Sequence, residues 1–461
     1  MPESSNQRHL IGVVYDGKHR LASFVRAKRR TMEALQQILF LLLGMWLFIT
    51  RRRQALFDKR LQSARRNTAE TYREIREMLR SWDETDNRAI QNKARQKRRR
   101  RRLINLVQNR RCRPTIWTFR RSNEWWDVIV PGFTRTQWVH NFRMSEETFL
   151  FLCAMLRPAM EKQDTNFRVC VPLKKRVAIA LWKLATNSDY RSIGHLFGVS
   201  KTTVCRCVQE FCEAACMLLV PEQISFPDRQ KLKEMAAYFE NRWGLPQCVG
   251  AIDGSHIPII APKEYHCDYF NRKGWHSIIL QGVVDGKGLF WSVYAGMAGS
   301  LHDARVLRLS TLWELVERGS LYPACTRNIS GVNAGYYLLG DSAYPLQTWL
   351  LKPFPDNGRL TAEQLTYNKK VCRARVVVEN AFGRLKGRWR CLMKRNDSDI
   401  ELVKSMVLTC CALHNLCESH GEDYQHEWDT PVTAEPVVPL AQGAEEEGRD
   451  VREGLMRHLN S

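Results

Sequence analysis

No cysteine pair in the sequence is spaced as CxxC, no apolar core follows the first residues, and no continuous apolar run reaches membrane-spanning length. The first absence excludes a framework of paired cysteine modules. The second leaves no signal-peptide pattern, so the fifteen cysteines are expected to be reduced, mostly buried thiols of an intracellular protein. The third concerns residues 38–49, an apolar run flanked by Lys28-Arg29-Arg30 and Arg51-Arg52-Arg53. A spanning helix needs about 20 apolar residues. The run therefore reads as a buried or partner-facing helix, with membrane association the lesser alternative. Acidic residues are also in short supply: 48 against 71 basic ones in 461 residues, a formal charge of +23. That balance says nothing about fold but favours polyanionic partners, nucleic acid above all.

What is present divides the chain into four parts. Residues 1–112 form a basic extension, partly helical or disordered, with six consecutive basic residues at 97–102. Such a run suits nuclear import or a phosphate-binding patch. Residues 113–225 read as a helical domain with a core supplied by Trp125, Trp126, Trp138, Phe142 and Phe149. Within it, a helix from Tyr190 ends near a turn at Gly198, and a second begins after Ser200, a residue type that caps helix N-termini. This is the pattern of a helix-turn-helix, with Lys201, Thr202, Thr203 and Arg206 at the front of the second helix, where side chains reach phosphates and base edges. Residues 245–420 change to strand character. From 421 to the end the chain is rich in Pro, Gly and Glu without a period, which predicts an acidic disordered tail. The three-residue spacing of Cys411, His414, Cys417 and His420 rotates successive side chains by about 60° on a helix, so core packing is expected rather than a zinc site.

In the third part, short strands are expected at 249–252, 278–284 and 289–294, with turns at Gly286 and Gly288. A helical stretch follows from Asp303, then a fourth strand at 336–340, then a helix over 376–385. Carboxylates fall at the ends of these elements: Asp253 after the first strand, Asp303 at the start of the helix, Asp341 after the fourth strand and Glu379 in the late helix. Cleaving a phosphodiester requires activating water and neutralising the leaving oxygen, and two divalent metals held by carboxylates do both. Three strands, helix, strand, helix is the order of a ribonuclease-H-like core, so the expected fold is an α/β nuclease core preceded by an all-helical domain. Each acid alone has an ordinary reading, Asp303 as a helix cap and Asp341 or Asp253 as turn residues.

Several segments carry a resemblance. Gly250-Ala251-Ile252-Asp253-Gly254-Ser255-His256-Ile257, Asn271-Arg272-Lys273-Gly274-Trp275-His276-Ser277, Gly299-Ser300-Leu301-His302-Asp303-Ala304-Arg305-Val306, Gly340-Asp341-Ser342-Ala343-Tyr344-Pro345 and Val378-Glu379-Asn380-Ala381-Phe382-Gly383-Arg384-Leu385-Lys386 resemble, in this order, the Harbinger family of DDE transposases and their domesticated nuclease relatives. Phe142-Arg143-Met144-Ser145 and Cys410-Cys411-Ala412-Leu413-His414-Asn415 resemble it too. The resemblance runs from about residue 125 to 417. It implies metal ligation, by magnesium or manganese, at Asp253, Asp303, Asp341 and Glu379. Strand order makes Asp253, Asp341 and Glu379 the catalytic set, while the place of Asp303 against Asp341 stays open. Asn271, Arg272 and Lys273 are expected to hold DNA phosphates, and Arg384, Lys386, Arg388 and Arg390 to form a basic stripe on the Glu379 helix. The resemblance further implies a nuclear protein, a Myb-like partner and a homo-oligomer for paired-end cutting. The rival expectation is a catalytically silent DNA- or chromatin-binding descendant.

Overall fold

The computed structural model describes residues 121–164, 169–356, 358–429 and 446–461. The apolar run at 38–49, the basic run at 97–102 and the rest of the 1–112 extension lie outside the described residues.

The centre of the structure is a five-stranded mixed sheet. Strands β1 (Cys248–Pro258), β2 (Ser277–Val284) and β3 (Phe290–Ala298) form an antiparallel meander. The hairpin between β2 and β3 is closed by Asp285, whose Oδ1 accepts from the backbone N–H groups of Lys287 and Leu289, each at 2.9 Å. Gly288 there has φ +84°, the left-handed conformation that only glycine takes without strain. After a separate two-stranded hairpin of β4 (Arg327–Ile329) and β5 (Val332–Ala334), the chain returns as β6 (Tyr337–Leu339), parallel to β1. Strand β7 (Leu350–Leu351) extends the sheet in parallel, giving the order β3-β2-β1-β6-β7.

Both faces of the sheet are covered, which is why β2 is buried along its whole length. Along β1, Val249 and Ile252 pack into one buried cluster and Cys248 and Ala251 into the other, because the irregularity between Cys248 and Gly250 breaks simple alternation. The described helices are α1 (Arg135–Phe142), α2 (Glu146–Met160), α3 (Leu173–Thr186), α4 (Tyr190–Leu196), α5 (Lys201–Gln223), α6 (Arg229–Trp243), a single turn α7 (His266–Tyr269), α8 (Asp303–Arg308), α9 (Thr311–Glu317), α10 (Ala362–Arg388), α11 (Ile400–Ser419) and α12 (Glu446–Asn460). Helix α10 begins with a capping box in which Thr361 and Gln364 satisfy each other's backbone N–H groups. Its residues Tyr367, Val371, Ala374, Val378 and Leu385 recur at helical spacing and are buried against the sheet.

The helical segment packs against the sheet, since Phe142, Phe149, Leu181 and Phe211 belong to the same buried cluster as Leu280, Phe290 and Val407. The joint is made by Asn415 of α11. Its amide accepts from Phe290 N at 2.8 Å and donates to Phe290 O at 2.6 Å and to Gln223 O at 2.7 Å, tying α5 to β3. The expected helix from Asp303 is two short helices, α8 and α9, broken where Ser310 caps the second. The expectation of disorder beyond 421 is corrected at both ends of the tail. Glu422 is buried and accepts from the backbone N–H of Ser145 at 3.0 Å, closing the N-terminus of α2. Residues 446–460 are helix α12, which buries Val451, Leu455 and Leu459 against α10 and the β4–β5 hairpin.

Candidate active site

The sheet register brings two acids together. Ala251 of β1 lies opposite Leu339 of β6 in parallel. Two residues further along each chain stand Asp253, in the middle of β1 and paired with Gly282 of β2, and Asp341, just past the end of β6, so the two acids lie on neighbouring chains; the strand expected to end at Asp253 runs on to Pro258. Asp303 joins them from the first turn of α8. Its Oδ1 lies so near Gly254 that a Cβ built there would be 2.2 Å from it; only a glycine lets the carboxylate come this close to the backbone of β1. Buried Gln281 of β2 supports the group, donating to Asp303 O at 3.4 Å and to the Tyr344 hydroxyl at 3.2 Å. Lys352 donates to Tyr344 O at 2.6 Å and Ser342 O at 3.2 Å, which fixes the loop after Asp341.

Glu379 reaches the group from α10 through a residue the sequence reading missed. Arg375, one helical turn before Glu379, donates to Asp253 Oδ2 at 3.3 Å and forms a close ion pair with Glu379. The i,i+4 relation of Arg375 and Glu379 was available in the sequence as a signal. The link to Asp253, 122 residues away, was not.

The electrostatics show one crowded site. Burial pushes the Asp253 carboxyl up, Arg375 opposes the rise, and the charges of Asp341 and Asp303 add to it, for a value of about 7. Burial would lower Arg375, but Asp253, Glu379 and Asp341 more than offset it and raise its pKa. Tyr344, buried beneath the cluster, is held far above its ordinary value by burial and by the charges of Asp303, Asp253 and Asp341.

Four carboxylates are the donor set that a hard divalent cation takes. Among the described residues no three acidic, histidine or cysteine side chains converge on one point as they stand. The charges of Asp341 and Asp303 beside Asp253 are a setting in which added positive charge is favoured.

The expected DNA contacts divide. Lys201, Thr202 and Arg206 are exposed on the first two turns of α5, and Thr203 is drawn inward by its hydroxyl contact with Ser200 at 2.8 Å. Arg272 and Lys273 are exposed. Asn271 is buried, and its side chain shapes the turn by accepting from Lys273 N at 2.9 Å and donating to Ser277 Oγ at 2.9 Å, which corrects its reading as a phosphate ligand. The basic stripe is also corrected. Arg388 is buried and donates to Arg143 O at 2.9 Å, while Arg384 is paired with Glu418 at 2.7 Å. Lys386 lies on the other side of α10 and donates to His256 O at 2.9 Å. Four positions two residues apart cannot share one helix face, since each step of two turns them by about 200°. His414, Cys411 and Cys417 are buried in the core, with His414 Nε2 against Gly288 O at 3.1 Å.

Residues 252–415 match a family profile described as DDE superfamily endonuclease, and residues 103–217 match one described as a domain of unknown function. The chain is 30% identical over 356 residues to the Arabidopsis thaliana protein Antagonist of Like Heterochromatin Protein 1, covering 73% of this chain and 89% of that one. It is 32% identical over 313 residues to the ALP1-like protein of the same plant, covering 64% and 75% of the two chains. It is also 30% identical over 305 residues to the Homo sapiens protein named "Putative nuclease HARBI1", covering 65% and 80%. No solved structure matches.

Proposed function

The chain belongs to the Harbinger-type family of DDE transposase-derived nucleases, and from that premise we propose that it is a divalent-metal-dependent DNA endonuclease. The observation that carries the reading is that Asp303 and Asp341, from separate elements, lie near enough to Asp253 to raise its carboxyl, with Glu379 linked to Asp253 through Arg375. The strand order supports a ribonuclease-H-like core.

A pair of magnesium or manganese ions would supply an activated water at neutral pH and neutralise the leaving oxygen of the cut strand. Asp253 on β1 and Asp341 just past β6 would hold these ions. Asp303 from α8 and Glu379 from α10 would complete the donor set. Gln281, Tyr344 and Lys352 hold these carboxylates in register. Arg375 screens the mutual repulsion of Asp253 and Glu379 and would re-pair as ligands form. Lys201, Thr202 and Arg206 of α5 hold the DNA, as do Arg272 and Lys273 beside the acids. This reading implies a nuclear protein acting as a homo-oligomer, with a Myb-like protein as a further partner.

A second reading has one observation in its favour: the plant relative is named for antagonising a heterochromatin protein. It would make the chain a DNA- or chromatin-binding protein without catalysis. The presence of all four acids favours the nuclease. The test is nicking of supercoiled plasmid by full-length protein in magnesium or manganese. Wild type cleaves, chelation stops it, and Asp253→Asn lowers the rate by more than the roughly 10–100-fold typical of residues that only orient metal ligands. Equal cleavage by both proteins, or none by either, contradicts the nuclease reading.

A further inference from the structure

The segment 259–276, which joins β1 to β2, lies beside the acid cluster. Ser300 N donates to Asp268 O at 3.0 Å, and Arg272 meets the ring of His302, the residue before Asp303. The loop is thus fixed to the turn that delivers a proposed metal ligand.

Its outer side carries aromatic rings. Tyr265 is 77% exposed and Phe270 49% exposed. A single exposed apolar residue is ordinary, but these two stand in one short, anchored loop. Tyr265 also has φ +54°, a left-handed conformation that costs a non-glycine residue about 1–2 kcal/mol. Phe270 packs edge-on against His276 with centroids 5.2 Å apart, and His276 against His266 at 6.3 Å, so these three rings form a preformed row beside which Tyr265, the residue before His266, stands exposed. Exposed Lys263, Arg272 and Lys273 of the same loop outnumber its acids, Glu264 and Asp268.

Cations suffice for phosphates. Flat rings add something different, because an aromatic face stacks on a nucleobase of any sequence. In an intact duplex the base faces are covered by their neighbours, so only an unpaired or extruded base can present one. We propose that the loop 259–276 is a stacking platform for an unpaired or turned-out DNA base next to the cut phosphate, with Tyr265 as the principal ring. The substrate is then DNA that is single-stranded or distorted at the cleavage position. This inference rests on the reading of the chain as a DNA-acting nuclease.

The experiment measures binding of the full-length protein, in chelator and at fixed salt, to a labelled oligothymidylate and to a duplex of equal length. Tyr265→Ala is expected to weaken oligothymidylate binding roughly tenfold, within the range of one lost stack. Duplex binding is expected to change less than about twofold, since phosphate contacts persist. Tyr265→Phe, which keeps the ring, retains wild-type binding to both and controls for folding. Equal weakening on both probes, or no weakening on the oligothymidylate, overturns the platform while leaving the nuclease reading intact. A wild-type protein that binds neither probe overturns the nuclease reading itself, and the platform with it.

Discussion

Asp253 shows what a cluster of like charges does to a single residue. Its carboxyl is raised from 3.8 to about 7 by burial and by Asp341 and Asp303, against the pull of Arg375. The folded chain therefore binds a proton there more readily than the unfolded chain. Between about pH 4 and pH 7 this group makes folding less favourable as pH rises, and above pH 7 the full destabilisation is present. In chelator, Asp253→Asn should have a higher melting temperature than wild type at pH 8, with the gap closing toward pH 4. A variant less stable than wild type at pH 8 would mean that the pairing with Arg375 outweighs the crowding. The position of Asp303 at a helix start and of Asp341 after a strand was legible in turn and capping residues, whereas the strand end expected at Asp253 was not, because β1 runs on to Pro258. The roles of Asn271, Arg384 and Arg388 were not legible either, since the burial of Asn271 in its own turn depends on tertiary packing, and the partners Glu418 and Arg143 come from distant parts of the chain.

Helices α10 and α12 carry the lesson at the scale of elements. Tyr367, Val371, Ala374, Val378 and Leu385 fix which side of α10 faces the sheet, and this sets the direction from which Glu379 approaches. Helix α12 holds the far part of the domain by inserting Val451, Leu455 and Leu459 at four-residue spacing, with Gly454 in close contact with Val332. That spacing was present in the sequence, but the Pro-, Gly- and Glu-rich stretch before it weighed toward disorder, and a short amphipathic helix is stable only through the surface it covers. Leu455 is 1% exposed, so Leu455→Ala should cost about 2–5 kcal/mol, read as a lower denaturant midpoint with unchanged slope. A change within about 0.5 kcal/mol, the size of an ordinary surface substitution, would mean that α12 does not dock as described.

Over the whole molecule, one continuous core joins the helices before residue 225 to the sheet, and Asn415 marks the joint. The order of strands and helices could be inferred from pattern and turn chemistry. The shared core could not, because nothing local in α5 says that its partner is α11, some two hundred residues later. The net charge of +23 suits a polyanionic substrate. The central proposal is that four acids from four elements form one metal centre. Manganese titration of the full-length protein, with free ion followed by electron paramagnetic resonance, tests this most directly when repeated on Asp253→Asn, Asp303→Asn, Asp341→Asn and Glu379→Gln. Saturable binding by wild type, weakened at least about tenfold in every variant, is the expected result. Wild-type affinity in all four variants, or no binding by the wild type, would contradict a shared metal centre.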